Sequence, residues 1–407
     1  MKYKGFGSLK VLGIMVLPFY LFTFLLFIAC TLSGCVEEYE ADISAEDTDL
    51  LVVEGTICSG KSNTFFLSRT QTIKTDDSPK RVTGAIVSVR GTDGSEYMAQ
   101  ETYESYSCKL GTLEPDVDYY LHIECDGEIY ESTPQRPLRT EKIADVRGVE
   151  NTSENTIDVF MTPDDPFDPN QANYYSWTYD ETWEVRPEYK TSVYYDVDLR
   201  MPVEKLNQFP ERGWRNSTNP TIMVGTSNSY EGQHIRNMKL YDISLDDSRI
   251  SYRYSGLLHQ RAISKAEYEY ELARRQVSSE MGGLFTPLPS ALPTNIHCLT
   301  SRKHVIGFVG CSLNTGEYRF FLDAADFSIR RSSTDTRVWL DEPTEEECLQ
   351  MVRRGLYLCE WQTPERSLDG KVHAIWATLK QLDVRARFPD VYISEPYFWS
   401  WKENVSF

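Results

Sequence analysis

The chain has 407 residues with 42 Lys and Arg against 61 Asp and Glu, a formal net charge of −19. That acidity excludes a nucleic-acid partner, because neutralising phosphates needs a basic face. Apolar residues make up 41% of the chain, enough for a substantial core, and 25 Tyr with 8 Trp favour strands over a helical bundle.

The first segment is an address. Lys2, Lys4 and Lys10 precede an apolar run from Val11 to Ala29, and Leu32-Ser33-Gly34-Cys35 follows. A basic start followed by an apolar stretch is the pattern of a secretory leader. Leu32-Ser33-Gly34-Cys35 resembles the lipobox of bacterial lipoproteins, which implies residues 1–34 as a signal peptide and Cys35 as the lipidated mature N-terminus. The alternative is a plain N-terminal transmembrane anchor, since the run is about long enough to span a bilayer. Cleavage removes three lysines and no acid, so the mature chain is more acidic still. Residues 35–47 form an acidic tether. Within it Glu37, Glu38 and Glu40 resemble the surface-export signal of Bacteroidota lipoproteins. The expected location is therefore the outer membrane, lipid-anchored and facing the cell surface, with its periplasmic face as the alternative.

Residues 48–140 read as a first β domain. Leu50–Ile57, Thr64–Thr70 and Val82–Arg90 are short runs rich in β-branched residues, and in the third Ala85, Val87 and Val89 share one face. Asp93-Gly94 and Asp126-Gly127 are tight-turn signals between alternating runs. The stretch Val82 to Ser132 resembles a transthyretin-like or immunoglobulin-like β-sandwich, a scaffold that hosts binding more often than catalysis.

Residues 141–407 read as a larger antiparallel β domain, entered past Pro134 and Pro137. Asn173–Tyr179 is an aromatic strand, with Tyr175, Trp177 and Tyr179 alternating toward a core. Pro187, Pro202, Pro210 and Pro220 make 180–232 look loop-rich, and Trp183 and Trp214 are the ligand-binding aromatics expected at its surface. One helix interrupts the strands near 264–281: Ser264-Lys265-Ala266-Glu267 is a capping box and Gly282-Gly283 a stop. The expected fold is thus mainly β, a sandwich followed by a larger antiparallel domain with one inserted helix.

Candidate chemistry is sparse. Seven cysteines remain beyond Cys30 and Cys35, and an exported compartment permits disulfides. Cys298 with Cys311, and Cys348 with Cys359, are the pairs expected from proximity in sequence. No CxxC, HExxH, GxSxG or phosphate-binding glycine loop occurs, so no catalytic residues, metal or cofactor are expected. Asp164, Asp165 and Asp168 form an acidic loop better read as solvated than as a calcium site. His297 and His304 are spaced to meet across a hairpin.

A set of motifs spans the mature chain: Leu51-Val52-Val53-Glu54-Gly55, Leu67-Ser68-Arg69-Thr70, Asn173-Tyr174-Tyr175, Glu267-Tyr268-Glu269-Tyr270, Gly283–Pro289, Pro293-Thr294-Asn295-Ile296, Val305-Ile306-Gly307-Phe308 and Pro396-Tyr397-Phe398-Trp399. Together they resemble a Bacteroidota lipoprotein family, a domain of unknown function usually encoded beside TonB-dependent outer-membrane receptors. The resemblance implies a non-catalytic accessory of such a receptor, anchored to the bilayer through acylated Cys35 and binding a small nutrient ligand. It carries no assigned catalytic residues. Two other readings stay open on the residues alone: a surface glycan or peptide hydrolase whose carboxylates have no local motif, and an adhesin or structural envelope lipoprotein.

Overall fold

The computed structural model describes residues 49–70, 80–167, 173–206, 208–278, 292–329, 335–401 and 403–407. Cys35, Glu37, Glu38, Glu40, Asp168 and the Gly282-Gly283 stop lie outside the described residues. Asp49–Phe407 forms one compact unit. Among the described residues no helix is long and apolar enough to cross a membrane. The fold is mainly β, built from antiparallel sheets packed face to face.

Two sheets enclose the first core. One carries Leu51–Glu54, Ser62–Arg69 and Tyr106–Lys109 at its centre, and the other Ile86–Gly91, Tyr119–Cys125 and Glu128–Ser132. The period-two alternation sets the faces. Leu51, Val53, Phe65, Leu67, Val87 and Val89 point inward, while Ile86 and Phe66 face out. The Asp126-Gly127 turn has φ of 53° and 77° at its two residues, the double positive φ that a two-residue hairpin of matching twist requires.

This sandwich is not closed by residues 48–140 alone. Val305–Gly307 adds to Leu51–Val53 in parallel, Gly310–Ser312 runs parallel to Thr56–Cys58, and Ile296–Cys298 pairs with Tyr130–Ser132. Ile296, Val305, Val309 and Cys311 therefore belong to the first core. Gly307 permits the closest of these approaches. Its φ is +131°, and a Cβ there would lie 2.1 Å from the Val53 carbonyl oxygen.

A second sandwich sets three strands, Ile143–Asn151, Thr156–Pro163 and Met238–Ser244, against five: Gly213–Thr226, Tyr174–Val185, Arg253–Ile263, Gly316–Asp323 and Val405–Ser406. Tyr175, Trp177 and Tyr179 enter its core, as the alternation predicts. Trp177 is fully enclosed and donates Nε1 to Gln260 Oε1 at 2.9 Å, so the ring is buried without an orphaned donor. A ring of this kind removes about 200 Å² from water, worth about 5 kcal/mol. Much of the segment expected to be loop-rich is instead two long paired strands, Tyr174–Val185 and Gly213–Thr226, with a small hairpin of Val193–Asp196 and Met201–Glu204 between them. The prolines that suggested loops sit at strand ends, on the hairpin, or at a register shift: Pro220 falls where the edge strand bulges between the partners of Trp177 and Tyr179.

The helix Lys265–Ser278 forms where expected. Its cap is half the expected box: Glu267 N donates to Ser264 Oγ at 3.1 Å, but the Glu267 carboxylate turns to the Arg261 guanidinium. A further helix, Glu345–Arg353, has the complete capping box, with Thr344 and Glu347 bonding reciprocally. It packs on a three-stranded sheet of Val338–Asp341, His373–Thr378 and Leu356–Gln362, around Trp376, Leu358, Met351 and Cys348.

Candidate functional site

The strand Tyr174–Val185 ends at a surface where several chain segments meet. Glu184, 4% exposed, accepts from Arg186 Nε and from Trp399 Nε1 at 3.3 Å. Arg186 then lies over Tyr252, its guanidinium carbon 4.4 Å from the ring centroid. Arg253 donates Nη2 to the Trp401 carbonyl at 2.7 Å and Nη1 to that of Trp399, and stacks over Phe321 at 4.4 Å. The C-terminal segment is thereby pinned to the sheet. Arg212 pairs with Glu395 at 3.3 Å across the same opening. These groups line an open hollow of about 750 Å³.

A second hollow, of about 710 Å³, adjoins it and shares Glu184, Arg186 and Tyr252 as the divide. Its walls include Tyr189, Phe388, Leu245, Asp246 and Asp247. Burial acts to raise the Asp247 carboxyl, but the hydrogen bonds from Arg249 outweigh it and hold the group below its ordinary value. Arg249 also donates to Glu181 at 2.6 Å, and Glu181 accepts from Tyr254 at 2.8 Å. Tyr254 meets Tyr241, which stacks on Tyr179 at 4.1 Å. Burial pushes the Tyr241 and Tyr254 phenols well above their usual range, so both stay neutral within this hydrogen-bonded network.

The cleft combines half-exposed guanidinium groups, paired carboxylates and aromatic faces. It can hold a polar ligand by hydrogen bonding and stacking. Among the described residues no cluster of three His, Cys, Asp or Glu is placed to hold a metal ion.

Several expected site residues lie elsewhere. Trp183 and Trp214 are 6% and 3% exposed, so neither presents a face to a ligand. Trp183 belongs to the second core, with Arg215 stacked over it at 5.3 Å, and Trp214 meets Trp399 edge-on at 6.1 Å under the C-terminal segment. Both sit on long strands rather than in a loop, which is why burial wins. The two expected disulfides are not formed. Cys348 enters the core around Trp376 while Cys359 packs with Ala377 and Leu382, and Cys311 is buried in the first sandwich while Cys298 faces Ser301 at 3.1 Å. Asp165 pairs with His234 at 3.2 Å. His297 and His304 do line one hollow, of about 230 Å³, together with Cys298, Arg302 and Lys303. The residues that build the main cleft, Arg186, Arg212, Tyr252, Arg253 and Asp247, had no local sequence signal, because they converge from three separate segments.

The fold is that of a mainly β protein built from packed antiparallel sheets. The chain belongs to the family described as Domain of unknown function (DUF4249), whose model matches residues 36–317. No curated protein matches the chain.

Proposed function

We propose that this protein is an outer-membrane lipoprotein, anchored through acylated Cys35 and facing the cell surface, that acts without catalysis as the ligand-binding partner of a TonB-dependent nutrient receptor. The observation that carries the binding role is the open cleft divided by Arg186 and Tyr252. Its guanidinium groups are oriented by carboxylates and rings, so a ligand meets donors already in place and loses less entropy on binding. The lipobox-like Leu32-Ser33-Gly34-Cys35 and the acidic tether support the location, and the family resemblance supports the receptor as partner.

The test is affinity purification of the tagged chain from outer membranes solubilised in mild detergent. A TonB-dependent receptor is expected to co-purify, and replacing Cys35 with Ala is expected to release the chain from the membrane. Recovery without any receptor, or unchanged membrane retention of the Cys35→Ala chain, sinks this reading.

A further inference from the structure

The lobe built on Val338–Asp341, His373–Thr378 and Leu356–Gln362 lies beyond the residues matched by the family model, and its surface has a chemistry the cleft does not share. Along the edge strand Val338–Asp341 burial alternates: Val338 and Leu340 pack on the core around Trp376, and Trp339 and Asp341 share the outer face. Trp339 is 47% exposed. Its indole is nonetheless held in place. The Arg337 guanidinium, fixed to Asp335 by bonds of 2.9 and 2.7 Å, lies 5.4 Å from the Trp339 ring and 4.6 Å from that of Tyr189. The His373 ring meets the indole edge-on at 6.3 Å.

His373 is 9% exposed, and both its nitrogens lie 2.8 Å from a carboxylate oxygen, Nδ1 from Asp341 and Nε2 from Asp369. The carboxylates themselves are open, with side chains 67% and 50% exposed. Each spends one oxygen on the imidazole and keeps acceptor capacity on the other. Asp341 stands two residues from Trp339 on one strand, about 6.6 Å along it, so this acceptor lies beside the flat ring at about the width of one sugar unit, and His373, edge-on to the same ring, holds Asp369.

We propose that this face is a carbohydrate-binding platform, with Trp339 stacking on the apolar face of a pyranose and Asp341 and Asp369 accepting hydrogen bonds from its hydroxyls. The chemistry favours a neutral saccharide. An exposed indole offers dispersion contact to the C–H face of a sugar, and pre-oriented carboxylates discriminate hydroxyl positions. The imidazole between the two carboxylates offsets their charge, which removes much of the pull on a free cation. The surface is open rather than enclosed, which suits a chain of sugar units passing across it.

The experiment is affinity electrophoresis of the full-length lipoprotein in detergent, through gels carrying a β-1,4-glucan, an α-mannan or a xylan. At least one polysaccharide is expected to retard the wild type. Trp339→Ala should weaken that retardation about ten-fold and Trp339→Phe much less, as loss of a stacking face predicts. Asp341→Asn should weaken it several-fold while the chain still melts in one cooperative transition. No retardation by any of the three, equal retardation of the Trp339→Ala chain, or binding of oligolysine in place of the polysaccharides overturns the proposal. Co-purification of a receptor with the Trp339→Ala chain should be unaffected, so this proposal and the receptor reading fail separately.

Discussion

His373 shows how a single side chain can set a pH dependence. An imidazole with both nitrogens against carboxylate oxygens must donate twice, so the geometry selects the imidazolium. The hydrogen bonds to Asp369 and then Asp341 raise its pKa above the ordinary value. A group raised in the folded state stabilises fully below its unfolded pKa, about 6.5, and loses that stabilisation as the pH climbs through the folded value. The melting temperature of the wild type should therefore exceed that of His373→Gln by a margin that is widest near pH 6 and closes toward pH 9. Thermal melts of both chains across that range check it, and a constant margin would show that the pair is not held by charge. The cysteines are the opposite case at the same scale. Burial raises the Cys311 and Cys348 thiols to about 12 and about 11, which keeps them protonated and inert at neutral pH. Pairing Cys298 with Cys311 and Cys348 with Cys359 was a reasonable expectation from spacing in sequence, yet spacing carries no information about how each side chain is directed once the strands pack.

At the scale of the element, local pattern was a good guide and distant pairing was invisible. The alternation in Ile86–Gly91 and Tyr174–Val185, the Asp-Gly turns and the helix start at Ser264 are set by residues a few positions apart, and each formed. The Glu345–Arg353 helix carries as clear a signal in Thr344-Glu345-Glu346-Glu347, the same hydroxyl-to-carboxylate spacing. The parallel pairing of Leu51–Val53 with Val305–Gly307 had none, because two short apolar runs some 250 positions apart fit many partners equally well. That pairing makes a sharp demand on Gly307. Gly307→Ala should cost more than about 2 kcal/mol, combining positive φ with a clash against backbone that has nowhere to move. Gly60→Ala, at φ +69° with open space around it, should cost about 1 kcal/mol. Urea midpoints of the two variants measure the difference, and equal effects would mean the strand docks more loosely than the register indicates.

The whole molecule depends on chain returns that cross its apparent boundaries. The first sandwich takes Ile296, Val305, Val309 and Cys311 into its core, and Leu138 N donates to the Cys311 carbonyl at 3.1 Å. A fragment of residues 49–140 lacks these strands and leaves Leu51, Val53 and Tyr130 facing water. It should fail to give a dispersed amide NMR spectrum, whereas the chain of 49–407 should give one. A well-dispersed spectrum from the short fragment would show the later strands to be dispensable.

The sequence by itself determined the acidic balance, the β character and most strand faces, because those follow from composition and from interactions between near neighbours. The tertiary structure decided which tryptophans are buried, which thiols stand apart and where a cleft opens. Trp183 and Trp214 were lost to the core once the strands at 174–185 and 213–226 paired. Arg186, Tyr252 and Arg253 became neighbours only when separate strands and the C-terminal segment were brought to one end of a sheet. Burial and convergence are properties of the packed chain, and no window of sequence contains them.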